Sequence, residues 1–427
     1  MESHGARTIA AYVRGVYKHA VRDSFYRNSL FLLVNMGFST VTGFFFVIIC
    51  AHLFSQRAFG YSTSLMGALG VATAFSNLGM NRTMVRFLGR SENKSQDLVT
   101  KLLLTLGAAV LCGVGMSFFL RTFGIKHANS LTVVIFIATV LLMSVKNLFD
   151  NAFIAIRKSS GTLIESSLFS VTRLIFPIFV IGSGFIGIFS AQLAGAIVAI
   201  IVSVFLLTLK HGFEFRVKPS RESMEGKWQF AIGSYASDLI GGLPTSVLPI
   251  IVVAKLGPVP GALWYVAMQI INFLLMVSAS INQAMFAEMA NARGTITHFL
   301  KKASGTMYGL LIPLAAAVFI FASSILRLFH GNYTSAEHIL RLMTIFALVG
   351  VANYITGSVL QLYRKVMYIT VVNVLNAAVV IFYCLFFAHN LTGMAIGWVY
   401  GEVVNFVLFV GGGIVVGVRH NFAMEDT

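Results

Sequence analysis

Apolar runs of more than twenty residues alternate with short polar segments twelve times between Asn28 and Gly417. About twenty apolar residues, rising ~1.5 Å each in a helix, cross the ~30 Å hydrocarbon core of a bilayer. The pattern predicts twelve transmembrane helices, near 28–53, 60–81, 98–120, 130–155, 162–184, 188–209, 229–255, 261–287, 303–328, 338–362, 366–388 and 391–417. Only Gly182, Gly184 and Gly187 divide the fifth from the sixth. Gly241-Gly242-Leu243-Pro244 and Pro249 predict a seventh helix that is broken or bent.

The polar segments carry the orientation. With a cytoplasmic N-terminus, 23 Lys and Arg fall in cytoplasmic segments and six on the opposite side, while Lys146 and Arg173 lie within spans to complete the 31. Because basic residues accumulate on cytoplasmic loops, both termini are expected there. The longest polar stretch, 210–227, separates the sixth span from the seventh and reads as a linker between a lobe over 28–209 and a lobe over 228–417. A basic segment over 1–27 precedes them and a cytoplasmic tail over 418–427 follows. A shift of 201 residues superposes Gly60 on Gly261, Asn81 on Asn282 and Met84 on Met285. The expected fold is therefore an all-α integral membrane protein of two parallel six-helix repeats.

Composition agrees with this reading and narrows the function. Hydrophobic residues are 57% and charged residues 11%, against about 25% charged in soluble domains, which excludes a water-soluble surface. The net charge of +16 is a topogenic signal plus attraction to anionic membrane lipid, and calls for no nucleic acid. Arg14, Lys18 and Arg22 share one face of the N-terminal segment and Ile9, Val13, Val16, Tyr17 and Ala20 another, as in a helix lying on a membrane surface. The first 27 residues lack the apolar core of a cleavable signal peptide. Cys50, Cys112 and Cys384 sit inside spans without metal-ligand spacing, so no metal or other cofactor is expected. The ten histidines fall almost entirely in tails, loops or span ends, which disfavours an enzyme such as a membrane glycan polymerase or acyltransferase.

Two motifs flank the second span. The first runs Phe54-Ser55-Gln56-Arg57-Ala58-Phe59-Gly60-Tyr61, and the second Leu78-Gly79-Met80-Asn81-Arg82-Thr83-Met84-Val85-Arg86-Phe87. Together with the six-plus-six layout, they resemble the polysaccharide transporter family, the Wzx-type flippases of lipid-linked oligosaccharides. That family belongs to the MOP superfamily, with the MATE drug exporters and the lipid II flippases. Gln56-Arg57 stands where the family often has an acidic residue before Phe-Gly. The resemblance implies a MATE-like fold with alternating access, placed in the inner (plasma) membrane. It also implies a polyprenyl-diphosphate-linked glycan carried to the outer leaflet for cell-surface polysaccharide synthesis, beside other glycan-assembly membrane proteins. A MATE-type exporter of organic cations is the competing function, and either would draw on an H⁺ or Na⁺ gradient.

Charged and polar residues inside spans are the candidates for the work. Arg173 lies about eleven residues, roughly 16 Å, into the fifth span. Pro177 cannot donate to the Arg173 carbonyl, so a free acceptor is expected beside it. Arg173 is read either as a contact for the diphosphate, which a guanidinium binds bidentately, or as the partner of Asp238 or Glu402 in an ion pair. Asp238 and Glu402 are the candidate ion-coupling carboxylates. Lys146 and Asp150, at i,i+4, are expected to neutralise each other. Arg27, Arg82 and Arg86 stand at the cytoplasmic mouth as candidate head-group contacts, beside their topogenic role. Asn35, Gln269, Asn272 and Asn376 are candidates for glycan hydroxyls or for interhelical hydrogen bonds.

Overall fold

The structure is a computed structural model that describes residues 24–122, 129–291, 296–363 and 365–425. Most of the basic N-terminal segment, 1–23, lies outside them. Fourteen α-helices occur among the described residues: α1 (Ser24–Leu53), α2 (Gln56–Ser76), α3 (Met80–Phe87), α4 (Lys94–Thr122), α5 (Ser130–Ala155), α6 (Ser159–Phe179), α7 (Gly184–Phe205), α8 (Trp228–Leu256), α9 (Pro258–Asn291), α10 (Ile296–Ile320), α11 (Ala322–Arg327), α12 (Glu337–Leu362), α13 (Val366–Phe386) and α14 (Leu391–Glu425). Twelve of them are the expected spans; α3 and α11 are short additions. Ten stretches of these helices are long and apolar enough to cross a membrane, and Ser304–Ile320 of α10 is a shorter apolar helix. The protein is a multi-pass membrane protein.

The exception is α2, and its surroundings explain why. Ser62, Thr63, Ser64, Thr73 and Ser76 are buried along it. Their hydroxyls fold back onto the helix, Ser62 Oγ on Phe59 O at 2.7 Å and Thr63 Oγ1 on Gly60 O at 2.8 Å, or cross to α5, where Ser76 Oγ and Ser144 Oγ are 2.6 Å apart. A helix enclosed by other helices gains little from apolar bulk; small residues bring backbones together instead. Gly60 shows how close: a Cβ there would lie 1.7 Å from the Pro258 carbonyl oxygen at the start of α9. At the other end Gly79, at φ +74°, would place a Cβ 2.2 Å from Ala231 O of α8. The two motif glycines are thus where α2 meets the second half.

Packing repeats across the halves. The pairs α1–α6, α6–α7, α5–α7, α4–α5, α2–α4 and α2–α5 recur as α8–α13, α13–α14, α12–α14, α10–α12, α9–α10 and α9–α12. Two parallel six-helix repeats are therefore present. The halves join where α2 packs on α8 and α9, and where α1 touches α9.

The core is shared unevenly. Near the Leu53–Gln56 and Leu256–Pro258 turns, one apolar cluster joins Phe46, Cys50, Phe54 and Phe59 to Trp264, Ile271, Phe329 and Tyr333. Phe44 closes this end against Phe329 (ring centroids 5.3 Å apart) and Phe273 (5.7 Å). Near the basic loops two further clusters occur: Met80, Met84, Leu98, Phe149 and Phe153, joined by Ala231 of α8, and Leu360, Ile369, Val372 and Phe409 of the second half. The halves share one large core at one end; at the other the start of α8 packs on the first half, while the second half keeps a further cluster of its own.

Three expectations change. The seventh span, α8, is one unbroken helix with Pro244 and Pro249 inside it, because each proline removes only one i→i−4 bond, an omission that packed neighbours tolerate in a membrane helix. The fifth span, α6, ends at Phe179, earlier than expected, and α7 begins at Gly184 after a 3₁₀ turn over Ile181–Ser183. The last helix continues through the expected tail to Glu425. The 210–227 stretch lies on the start of α4: Ser220 N donates to Thr100 Oγ1 (3.1 Å), Glu214 N to Ser95 Oγ (3.0 Å), and Gln96 Nε2 to Lys218 O (3.1 Å).

Candidate functional site between the halves

Arg173 is fourteen residues beyond the start of α6, roughly 21 Å along its axis. Its guanidinium reaches the joint of α1, α6 and α9. A Cβ on Gly43 of α1 would lie 3.2 Å from Arg173 Nη2 and 3.6 Å from Gln269 Nε2 of α9, so the glycine leaves the room in which the two side chains meet. The guanidinium carbon stands 4.8 Å from the Phe46 ring centroid and 5.6 Å from that of Phe169. Its Nε is buried with no hydrogen-bond partner, and no carboxylate lies in ion-pair range among the described residues.

This decides part of the Arg173 question. The expected ion pair to Glu402 is not formed, because Glu402 sits in another cavity and its Oε2 accepts from Asn353 Nδ2 at 3.1 Å. Asp238 belongs to α8, but its side chain lies outside the described residues. The ring faces give the cation about 0.5–2 kcal/mol, against at least ~2.5 kcal/mol for holding a charge at mid-membrane depth. The balance calls for water or an anion.

A cavity of about 220 Å³ adjoins this point, lined by Met66 and Gly67 of α2, by Thr245, Ser246 and Pro249 of α8, and by Tyr265, Gln269 and Asn272 of α9 among others. The structure thus gathers Arg173, Gln269 and Asn272, drawn from both halves. A second cavity of about 120 Å³ lies within the second half, where Thr245 again forms part of the wall together with Gly241, Asn373, Asn376, Glu402 and Asn405. Asn376 and Glu402 therefore belong together, one helix away from Arg173. Asn35 is half-buried on α1, with its Oδ1 unpartnered.

Of the three mouth arginines, Arg82 and Arg86 stand one turn apart on α3. Arg27 and Arg82 are exposed. Arg86 lies against the Phe230 ring of α8 at 4.3 Å and joins Arg90, Lys94 and Arg157 around a hollow of about 330 Å³. Two groups of buried charges lie elsewhere. Lys101 and Asp97, both almost fully buried, pair at 2.6 Å under the linker, with Lys227 at 3.6 Å from Asp97. Lys146 pairs with Asp150 at 2.7 Å as expected, and also with Glu165 of α6 at 3.3 Å. Sequence reading passed over Glu165, which looks like a loop-edge acid three residues into a predicted span. Its spacing is the signal that would have found it: Glu165, Phe169 and Arg173, at i, i+4 and i+8, share one face of α6.

Residues 25–286 match the family described as polysaccharide biosynthesis protein. No curated protein matches the chain. Among solved structures, a multidrug resistance MATE family transporter of the MOP superfamily in its inward-facing conformation is similar, at TM-score 0.68 and 15% identity, covering 90% of this chain and 96% of that one. Its outward-facing conformation is similar at TM-score 0.60 and 16% identity, covering 96% and 98%. A MOP superfamily transporter from Pyrococcus furiosus Vc1 (DSM3638), described by a binding pocket of reverse polarity, is similar at TM-score 0.59 and 17% identity, covering 93% and 97%.

Proposed function

The chain belongs to the polysaccharide biosynthesis protein family and has the fold of MOP superfamily transporters, and from this premise we propose that it is a flippase for a polyprenyl-diphosphate-linked oligosaccharide. The observation that carries the reading is Arg173, a guanidinium without a carboxylate partner among the described residues, facing the joint of the two halves. A diphosphate supplies the missing anion, and the planar fork of arginine fits its oxygens.

Near the basic loops the cluster of Leu360, Ile369, Val372 and Phe409 is distinct from that of the first half, so this part of the second half can swing about the start of α8; with those loops cytoplasmic this is the inward-open state. The substrate's lipid tail stays in the bilayer, since extracting it costs about 0.8 kcal/mol per CH₂. Head group and sugar enter the cleft alone. Arg27, Arg82 and Arg86 draw the diphosphate to the mouth and Arg173 receives it, while Asn35, Gln269, Asn272 and Asn376 offer amides to sugar hydroxyls. Rocking about the α2–α8 seam then exposes the cleft to the other side. Asp238 and Glu402 hold the coupling H⁺ or Na⁺. The protein does no covalent chemistry and works in the inner (plasma) membrane with both termini cytoplasmic, beside the membrane proteins that build and polymerise the glycan.

Deleting the gene tests this. Lipid-linked oligosaccharide is expected to accumulate in the inner leaflet, and restoration by the wild-type chain but not by Arg173→Ala would support the reading. Unchanged lipid-linked pools, with raised sensitivity to organic cations, would mean an exporter instead.

A further inference from the structure

The first half buries a charge group that the reading above does not use. Lys146 and Asp150 on α5 meet Glu165 on α6, and the side chains are 7%, 18% and 0% exposed respectively. Lys146 Nζ is 2.7 Å from Asp150 Oδ2 and 3.3 Å from Glu165 Oε1. Ser166 Oγ reaches Asp150 Oδ1 at 3.5 Å, yet neither oxygen of Glu165 accepts a well-directed hydrogen bond. Asp150 and Glu165 thus converge on the same ammonium from two helices.

Two ionised carboxylates are acceptors only, so they cannot bond to each other. With a single ammonium beside them, the fully ionised group would carry one uncompensated negative charge in a buried site, which is strongly disfavoured. The neighbouring helices do not supply the balance. Among charged residues, α1 contributes Arg27 at its exposed start and His52 at its far end, α7 contributes none, and α6 itself contributes only Arg173, two turns away. Of the other elements packed on α5, α2 carries Arg57 at its start, α3 carries Arg82 and Arg86 with Arg90 just beyond, and α4 carries Lys94, Arg121 and the Asp97–Lys101 pair; the ion pairs described for Asp150 and Glu165 are those with Lys146. One proton between the carboxylates repairs both defects: the group becomes neutral, and an O–H is available to donate.

We infer that Lys146, Asp150 and Glu165 form a proton-binding site holding one exchangeable proton between the two carboxylates. The proton leaves Glu165 for Asp150, the partly exposed member, and passes to water on the basic-loop side; Lys146 remains an ammonium throughout. Loss of the proton leaves the site with net charge −1, on the α6 face that carries Arg173 about 12 Å further along, with the Phe169 ring between them, 5.1 Å from Lys146 Nζ and 5.6 Å from the Arg173 guanidinium carbon. Its use in driving transport rests on the transporter reading; the proton itself does not.

Infrared spectroscopy of the purified full chain in lipid nanodiscs reads the proton without any substrate. Wild-type protein at neutral pH is expected to show a protonated-carboxyl C=O band that shifts in D₂O within minutes. Glu165→Gln, which keeps shape and neutrality, is expected to remove one component of it, whatever Asp238 and Glu402 contribute. Asp150→Asn is also expected to remove that component, because Glu165 then ionises against Lys146 alone. If the component lost in Glu165→Gln survives Asp150→Asn, Glu165 is an isolated protonated acid and the shared proton is overturned. The absence of any band sensitive to Glu165→Gln, or one that fails to shift in D₂O, would overturn the exchangeable site. These outcomes are independent of whether the chain flips a glycolipid.

Discussion

At the residue scale the account turns on vacancies as much as on charges. Gly43 is small because Arg173 and Gln269 fill the space its side chain would take. Gly43→Val should push the guanidinium out of the joint and lower transport at least tenfold, with melting temperature in detergent within a few degrees of wild type. A loss of folded protein on size exclusion would instead mark Gly43 as a packing residue. In the second half, Glu402 lines a cavity with Asn376 and Asn405. Glu402→Gln and Asp238→Asn are expected to flatten the dependence of transport on a proton or sodium gradient while leaving expression near normal. A gradient dependence unchanged in both variants would remove the coupling role from these carboxylates. The residue types were legible in the sequence, since a charge within an apolar run stands out. Partnership was not: whether Arg173 meets Glu402 depends on how two halves remote in sequence are placed, and Glu165 escaped notice because an acid near a span end resembles a loop residue.

At the element scale the apolar period located all twelve long helices, because twenty apolar residues have few alternatives to a membrane-spanning helix. For α8 the prolines predicted a helix broken or bent, and the break is absent: the helix continues. Sequence signals a missing hydrogen bond; whether the helix gives way depends on neighbours that only the fold supplies. One such neighbour contact joins α8 to α13: Lys255 Nζ donates to Cys384 O (3.1 Å), Leu385 O (2.6 Å) and Ala388 O (2.9 Å). It satisfies the carbonyls at the end of α13, where a cation also suits the helix dipole. Lys255→Met should cost about 1–2 kcal/mol, read as a lower melting temperature with the transport mechanism intact. No change in melting temperature would mean that water replaces the ammonium without loss.

At the scale of the whole molecule, the halves share one core at one end, while at the other the first half holds the start of α8 and the second half keeps a further cluster of its own, an arrangement that suits rocking about the α2–α8 seam. The basic loops predict the orientation. A reporter fused after Thr427 should behave as cytoplasmic, and one inserted between Ile125 and Asn129 as external; an external signal from the C-terminal fusion would contradict the twelve-span arrangement. The central claim, that Arg173 carries the diphosphate of a glycolipid between leaflets, is tested most directly in proteoliposomes holding a fluorescent polyprenyl-diphosphate oligosaccharide, with a membrane-impermeant quencher outside. Wild-type protein should make the inner-leaflet probe accessible, Arg173→Lys should do so substantially more slowly, and Arg173→Ala should not do so at all while still inserting and purifying. Equal rates for wild type and Arg173→Ala would contradict the account.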